Sequence, residues 1–208
     1  MNDTLIGRVE YLLAKPYPTL KDLENHVRQA KVEAYRAIVV PSGLIERACE
    51  LIGDSELKIA CTIGYPFGTM DPDVKRFETE AAIDFGAHEI ELVPNLAALA
   101  EDRYKKVLRE IRDVTEAADE RPVKVVIESH LWNETQLAKI AEMVLESGAQ
   151  FLSTSIALQG RHASGEAVQH LRELLGPDFG LKVGGFSNLD GSEKELLDAG
   201  ADRIGLAG

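Results

Sequence analysis

At 208 residues, with 45% hydrophobic and 28% charged side chains, the chain suits a single domain with a sizeable core. Its 35 acidic against 23 basic residues give a formal charge of −12, which argues against a nucleic-acid backbone or an anionic membrane as partner and means that an anionic ligand needs a local positive site. No run approaches the roughly 18 apolar residues of a membrane span, the start Met1-Asn2-Asp3-Thr4 lacks a signal-peptide pattern, and Cys49 and Cys61 have neither metal-site spacing nor a disulfide framework, so a cytoplasmic protein with buried thiols is expected.

Along the chain, short apolar runs alternate with amphipathic stretches. The runs are placed at Val9–Ala14, Ala37–Val40, Lys58–Gly64, Glu89–Pro94, Val123–Ser129, Phe151–Ser155, Leu181–Gly185 and Arg203–Leu206. Between them, helical patterns cover Leu20–Val32, Leu44–Ile52, Pro72–Phe85, Tyr104–Ala118, Glu134–Ser147, Gly165–Leu175 and Ser192–Ala199, some opened by caps such as Asn133 and Ser164. An internal echo fixes the order: Gly86-Ala87-His88-Glu89-Ile90, Gly148-Ala149-Gln150-Phe151-Leu152 and Gly200-Ala201-Asp202-Arg203-Ile204 each close an amphipathic stretch and open an apolar run. That is a helix ending at a C-cap glycine and feeding a buried strand, with repeats about two βα units apart at roughly 30 residues a unit.

Strict alternation makes a parallel sheet, and eight strands predict an α/β fold, a single-domain (β/α)8 TIM barrel over residues 1–208 with no room for a last helix after Gly208. An open doubly wound sheet is the alternative, but no strand is followed by Gly-x-Gly-x-x-Gly.

In such barrels the chemistry lies at the carboxyl ends of the strands. Gly180-Leu181-Lys182-Val183-Gly184-Gly185 puts Lys182 on the glycine side of a strand, where a lysine must find a carboxylate or lose its proton. Gly184 and Gly185 leave backbone N–H groups for an anion. Glu91, inside Ile90-Glu91-Leu92-Val93, needs a cation, and Lys124 and Lys182 are the lysines in comparable runs. Repulsion between two close lysines lowers the pKa of whichever is less well paired. Without chemistry, the same three residues make a buried salt-bridge network. Glu128, His130 and His162 fall at strand mouths, but their spacing does not suggest a metal site, and none is expected. No motif calls for a cofactor.

Together these stretches resemble the deoxyribose-phosphate aldolases. The likeness runs through Leu13-Ala14-Lys15-Pro16, Lys58-Ile59-Ala60-Cys61-Thr62-Ile63-Gly64-Tyr65-Pro66-Phe67-Gly68 and Glu89-Ile90-Glu91-Leu92-Val93. It continues through Lys124-Val125-Val126-Ile127-Glu128, Thr154-Ser155, Lys182 with Gly184-Gly185, and Arg203-Ile204-Gly205. The resemblance implies a (β/α)8 barrel that cleaves a sugar phosphate through a Schiff base on a strand-six lysine, assisted by a strand-seven lysine and a strand-four acid. It puts Lys182 and Lys124 at two interior lysines of the family and makes Glu91 and Glu10 one methylene longer than the family's aspartates.

Strand six departs from the family. Where the family reads Phe-Val-Lys-Thr-Ser, this chain reads Phe151-Leu152-Ser153-Thr154-Ser155, and a hydroxyl forms no iminium with a carbonyl. The family's glycine-rich loop is replaced by Ala157–Ser164 and its strand-eight serines by Leu206 and Ala207. The expected site is therefore catalytic Lys182, Glu91 and Lys124, with Ser153, Thr154, Arg161, Gly184, Gly185 and Gly205 binding substrate or phosphate. The expected ligand is a small carbonyl compound or sugar phosphate, and any homo-oligomer pairs through outer helices. Three functions compete: an aldolase-type lyase with an altered or impaired Schiff-base site, a non-catalytic relative binding an anionic metabolite or a protein, and a metal-assisted lyase.

Overall fold

The structure, a computed structural model, describes residue 5, residues 7–156 and residues 162–208. Eight parallel strands close into a barrel in sequence order: β1 (Val9–Leu12), β2 (Ala37–Pro41), β3 (Lys58–Ile63), β4 (Glu89–Leu92), β5 (Val123–Val126), β6 (Phe151–Ser153), β7 (Gly180–Phe186) and β8 (Arg203–Ala207), with β8 pairing back onto β1. Helices α1 (Leu20–Val32), α2 (Ile45–Ile52), α3 (Pro72–Asp84), α4 (Leu96–Ala100), α5 (Tyr104–Ala117), α6 (Glu134–Glu146), α7 (Gly165–Leu175) and α8 (Ser192–Asp198) fill the connections.

The side-chain period of two sorts the strands cleanly. Outward-facing Val9, Ile38, Ile59, Ile90, Val125, Leu152, Leu181 and Ile204 pack with the buried helix faces into one continuous core. Inside, Leu12, Val39, Ala60, Val93, Val126 and Ile156 form a smaller apolar cluster, and Glu10, Glu89, Glu91, Lys124, Lys182 and Arg203 bring charge to other inward positions. Capping boxes start α1 (Thr19 with Asp22) and α6 (Asn133 with Gln136), while Asp71 and Pro72 start α3. The echo glycines Gly86, Gly148 and Gly200 each follow a helix C-cap at positive φ (103°, 85° and 113°), which explains why glycine recurs there.

Most strands end earlier than the apolar runs do. Ladder pairing in β5 stops at Val126, because Glu128 adopts a left-handed conformation (φ 49°) and a 3-10 turn begins at Ser129. β6 stops at Ser153, while β7 extends at both ends, from Gly180 to Phe186. Helix α4 and the 3-10 turns Ser42–Leu44 and Ser129–Leu131 were not expected, since runs this short carry no readable period.

Candidate active site

Five strands send charged side chains into the barrel, where they meet. Lys124 of β5, fully buried, contacts Glu10 (2.8 Å), Glu89 (2.7 Å) and Glu91 (3.5 Å). Lys182 of β7 contacts Glu10 at 2.8 Å and makes a short contact with Glu91. Arg203 of β8 reaches Glu10 and Glu89, each at 2.6 Å, and lies over the Phe151 ring, 4.0 Å from its centroid. Arg36 closes the chain from the amino end of the barrel, 2.9 Å from Glu89. Three carboxylates thus face three deeply placed cations, the arrangement a buried charge needs.

Electrostatics follow from this pairing. Burial pushes the Glu10 carboxyl up, but Lys124, Lys182 and Arg203 outweigh it and hold it well below the usual carboxylate range. Burial and Glu10 also oppose ionisation of Glu89, yet Lys124 and Arg203 draw it down. At Lys124 burial disfavours the ammonium, and Glu10, Glu91 and Glu89 overcome it, so its pKa lies above the ordinary lysine value. Of the two interior lysines Lys124 is the better paired, with three carboxylate contacts against two for Lys182. Lys124 stays protonated, because three carboxylates surround it.

Ser153, fully buried, stands beside Lys182 in the β6–β7 register, with its hydroxyl 3.4 Å from the Ser155 carbonyl. Glu91, Lys124, Ser153 and Lys182 therefore share the barrel interior. Thr154 ties β6 to β7: its N–H donates to the Lys182 carbonyl (3.0 Å) and its hydroxyl accepts from the Gly184 N–H (3.2 Å). Two of the groups expected to meet an anion, Thr154 Oγ1 and the Gly184 N–H, are thus paired with each other. A Cβ on Gly184 would lie 1.9 Å from the Ser155 carbonyl oxygen, and one on Gly205 would lie 2.9 Å from Lys182 Cε. Close strand packing and passage of the lysine side chain require these two glycines. Gly185, at φ 100°, sits in the register shift between Val183 and Phe186. Arg161 lies outside the described residues.

The histidines and Glu128 go elsewhere. Glu128 accepts from Ser155 Oγ (2.9 Å) and the Ile156 N–H (2.7 Å), fastening the end of β6, with His130 3.7 Å away. His162 stacks on Phe186 at 4.3 Å. Among the described residues no group of three or more His, Cys, Asp or Glu is arranged to hold a metal ion.

At the carboxyl ends of β1 to β3 a cavity of about 480 Å³ is lined by Leu12, Lys15, Pro41, Thr62, Tyr65 and Pro66. Thr62 in its lining is the register partner of Glu91 across β3 and β4. Lys15 at its rim is held by Asp22 at 2.5 Å. A larger cavity, about 560 Å³, opens at the opposite end of the barrel around Tyr35, Arg36 and Lys58, away from Ser153 and Lys182.

Sequence reasoning missed Glu89 and Arg203. The signal was present in the echo: the third residue after each Gly-Ala-bearing glycine is Glu89, Phe151 and Arg203, and these three strand-opening residues are in contact or one link apart at the amino end of the barrel.

The DeoC/LacD family aldolase model matches residues 4–199. Deoxyribose-phosphate aldolase of Staphylococcus carnosus is 33% identical over 200 residues, covering 96% of this chain and 90% of that one. The Halalkalibacterium halodurans enzyme of that name is 32% identical over 209 residues, covering 100% and 93%. Among solved structures, QR15, an aldolase, superposes with a TM-score of 0.91 at 27% identity, covering 99% of this chain and 92% of that one. The tetrameric deoxyribose phosphate aldolase of Aeropyrum pernix gives 0.88 at 27% identity, covering 96% and 85%. With the barrel, the interior lysines and the strand-four acid in place, the chain belongs to the DeoC/LacD aldolase family.

Proposed function

We propose that this protein is an aldolase-type carbon–carbon lyase acting on a small, phosphorylated aldehyde or sugar, with Lys182 as its amine and Glu91 as its proton carrier. The observation that carries this reading is the direct Lys182–Glu91 contact beside Ser153, at the position where the family has a second amine. Glu91 takes a proton from Lys182, the free amine adds to the substrate carbonyl, and loss of water leaves an iminium. A carboxylate then removes the proton of the β-hydroxyl. The carbon–carbon bond breaks to release an aldehyde and leave an enamine, which is protonated and hydrolysed. Lys124 remains an ammonium, in contact with Glu91 and holding Glu10 as an anion.

Because Lys182 starts as the partner of two carboxylates, the reaction is slow by the family's standard, and weak cleavage of deoxyribose 5-phosphate is expected. Substrate specificity by phosphate follows the names of the relatives, and self-association follows the tetrameric relative.

A second reading, a non-catalytic relative that binds a metabolite, is favoured by the one-to-one balance of Glu10, Glu89 and Glu91 against Lys124, Lys182 and Arg203, in which both interior lysines of the cluster are paired. Borohydride reduction in the presence of acetaldehyde or deoxyribose 5-phosphate separates the two. An adduct mapping to Lys182 and lost in Lys182→Met supports the lyase, and absence of any adduct supports the binding protein.

A further inference from the structure

Outside the charge cluster lies a second buried ion pair that the chemistry above does not use. Lys75 of α3 and Glu110 of α5 are 2.5 Å apart, and both side chains are 0% exposed. Two apolar residues of similar size would serve the α3–α5 contact as well, since a buried pair rarely exceeds its desolvation cost. Their polar contacts show what the charges achieve. Lys75 Nζ donates to the carbonyls of Gly68 (2.7 Å) and Val93 (3.0 Å), and the Glu110 oxygen that meets Lys75 also accepts from the Asn95 N–H (3.1 Å). One ammonium and one carboxylate therefore join the β3–α3 loop to the end of β4.

That loop is held at both of its glycines. Glu78 of α3 accepts from the Gly64 N–H (3.0 Å), and the Gly68 N–H donates to the Gly64 carbonyl (2.8 Å). Its two glycines, at φ 68° and 65°, lie flush on their surroundings: a Cβ would come within 2.8 Å of Lys75 Cε at Gly64, and within 1.9 Å of the Pro94 carbonyl oxygen at Gly68. Between them, Tyr65 and Pro66 form one wall of the 480 Å³ cavity at the carboxyl ends of the strands. The same ammonium reaches the Val93 carbonyl, two residues beyond Glu91 on the chain.

We propose that Lys75 and Glu110 are positioning residues that set the Gly64–Gly68 loop, and with it Tyr65, as the wall of the substrate cavity, acting from outside the barrel. The role in catalysis rests on the lyase reading; the role in placing the loop does not. Lys75→Met removes both carbonyl contacts, while Glu110→Gln keeps an oxygen acceptor and tests the milder change.

Hydrogen exchange followed by NMR reads the loop directly. In Lys75→Met the amides of Gly64 and Gly68 should exchange about tenfold or more faster than in the parent, beyond any change at the Val125 amide in β5. Glu110→Gln should show the same pattern, smaller. Where turnover is measurable, KM should rise severalfold with kcat nearly unchanged, because the wall and not the Lys182–Glu91 pair has moved. Uniform acceleration at Gly64, Gly68 and Val125 would overturn the proposal and mark the pair as general scaffolding. So would an unchanged loop in both variants. If Lys75→Met does not fold, Glu110→Gln decides by the same loop-to-β5 comparison. A protein without any turnover fails the lyase reading yet leaves the exchange comparison intact.

Discussion

Restoring an amine on β6 tests the site most sharply. Ser153 and Lys182 are register partners on adjacent strands, so their backbones are about 4.8 Å apart. Ser153→Lys brings a second ammonium to within roughly 5 Å of Lys182, and at an effective dielectric near 20 two such charges repel by about 3 kcal/mol, or roughly two pK units. Glu10 and Glu91, both in contact with Lys182, offset part of that repulsion. A lysine starting near 10.4 would then fall to between about 8 and 9, leaving a few per cent to about a quarter as free amine near pH 7.5. The expected result is a borohydride-trapped acetaldehyde adduct mapping to position 153 and a measurable gain in retro-aldol activity, both lost when Lys182→Met is added. The gain should be modest, because Glu91 is one methylene longer than the family's aspartate, and a misplacement of about 1 Å can cost roughly a hundredfold. A folded Ser153→Lys protein that traps no imine would refute the reasoning and make the charge cluster a structural element of a binding protein.

The other predictions concern the cluster's stability. Lys124→Met leaves Glu10, Glu89 and Glu91 facing Lys182 and Arg203, with the half-exposed Arg36 at Glu89, which should cost about 3–5 kcal/mol and lower Tm by about 10 °C in a domain of this size; adding Glu89→Gln should recover part of the loss, and a Tm change under about 2 °C would contradict the pairing. Glu10 and Glu89 have depressed folded pKa values, so their contribution is present above the unfolded carboxylate value of 4.5 and is lost as pH falls through the folded values. Lys124 works on the other side: its raised value stabilises fully below 10.5 and is lost as pH rises through the folded pKa, so urea midpoints should fall at both extremes, with Glu10→Gln flattening the acid limb.

Much of the fold was legible because buried parallel strands read as unbroken apolar runs and because three glycines at helix C-termini repeat the same solution. The strand ends were less legible. Ile127 continues the apolar run after Val126, yet the ladder stops there, since the left-handed turn at Glu128 answers to Ser155 and Ile156, residues distant in sequence. Lys124, Lys182 and Glu91 stood out as charges within apolar runs. Lys75 and Glu110 did not, because a lysine or glutamate on an amphipathic helix is ordinarily at the surface, and only the packing of α3 on α5 buries them. Gly184 and Gly205 were read as substrate- or phosphate-binding glycines, but a glycine that admits a ligand and one that admits a neighbouring strand or lysine look the same in sequence.

Charge balance links the substitution at Ser153 to the rest of the core. Glu10, Glu89 and Glu91 are matched by Lys124, Lys182 and Arg203, with Arg36, 36% exposed, answering to solvent as well as to Glu89. A lysine at position 153 would be a fourth interior cation, and the fourth cation among three carboxylates is the one without a full partner. That shortage is what depresses a lysine's pKa and makes it a nucleophile at neutral pH. With serine there, Lys124, Lys182 and Arg203 each contact at least two of the three carboxylates, and Lys182 is held between Glu10 and Glu91. Chemistry at Lys182 therefore requires a carboxylate to take its proton, and Glu91, already in contact with it, is placed to do so. On the lyase reading proposed above, a serine at position 153 makes the proton shift from Lys182 to Glu91 the step on which imine formation depends.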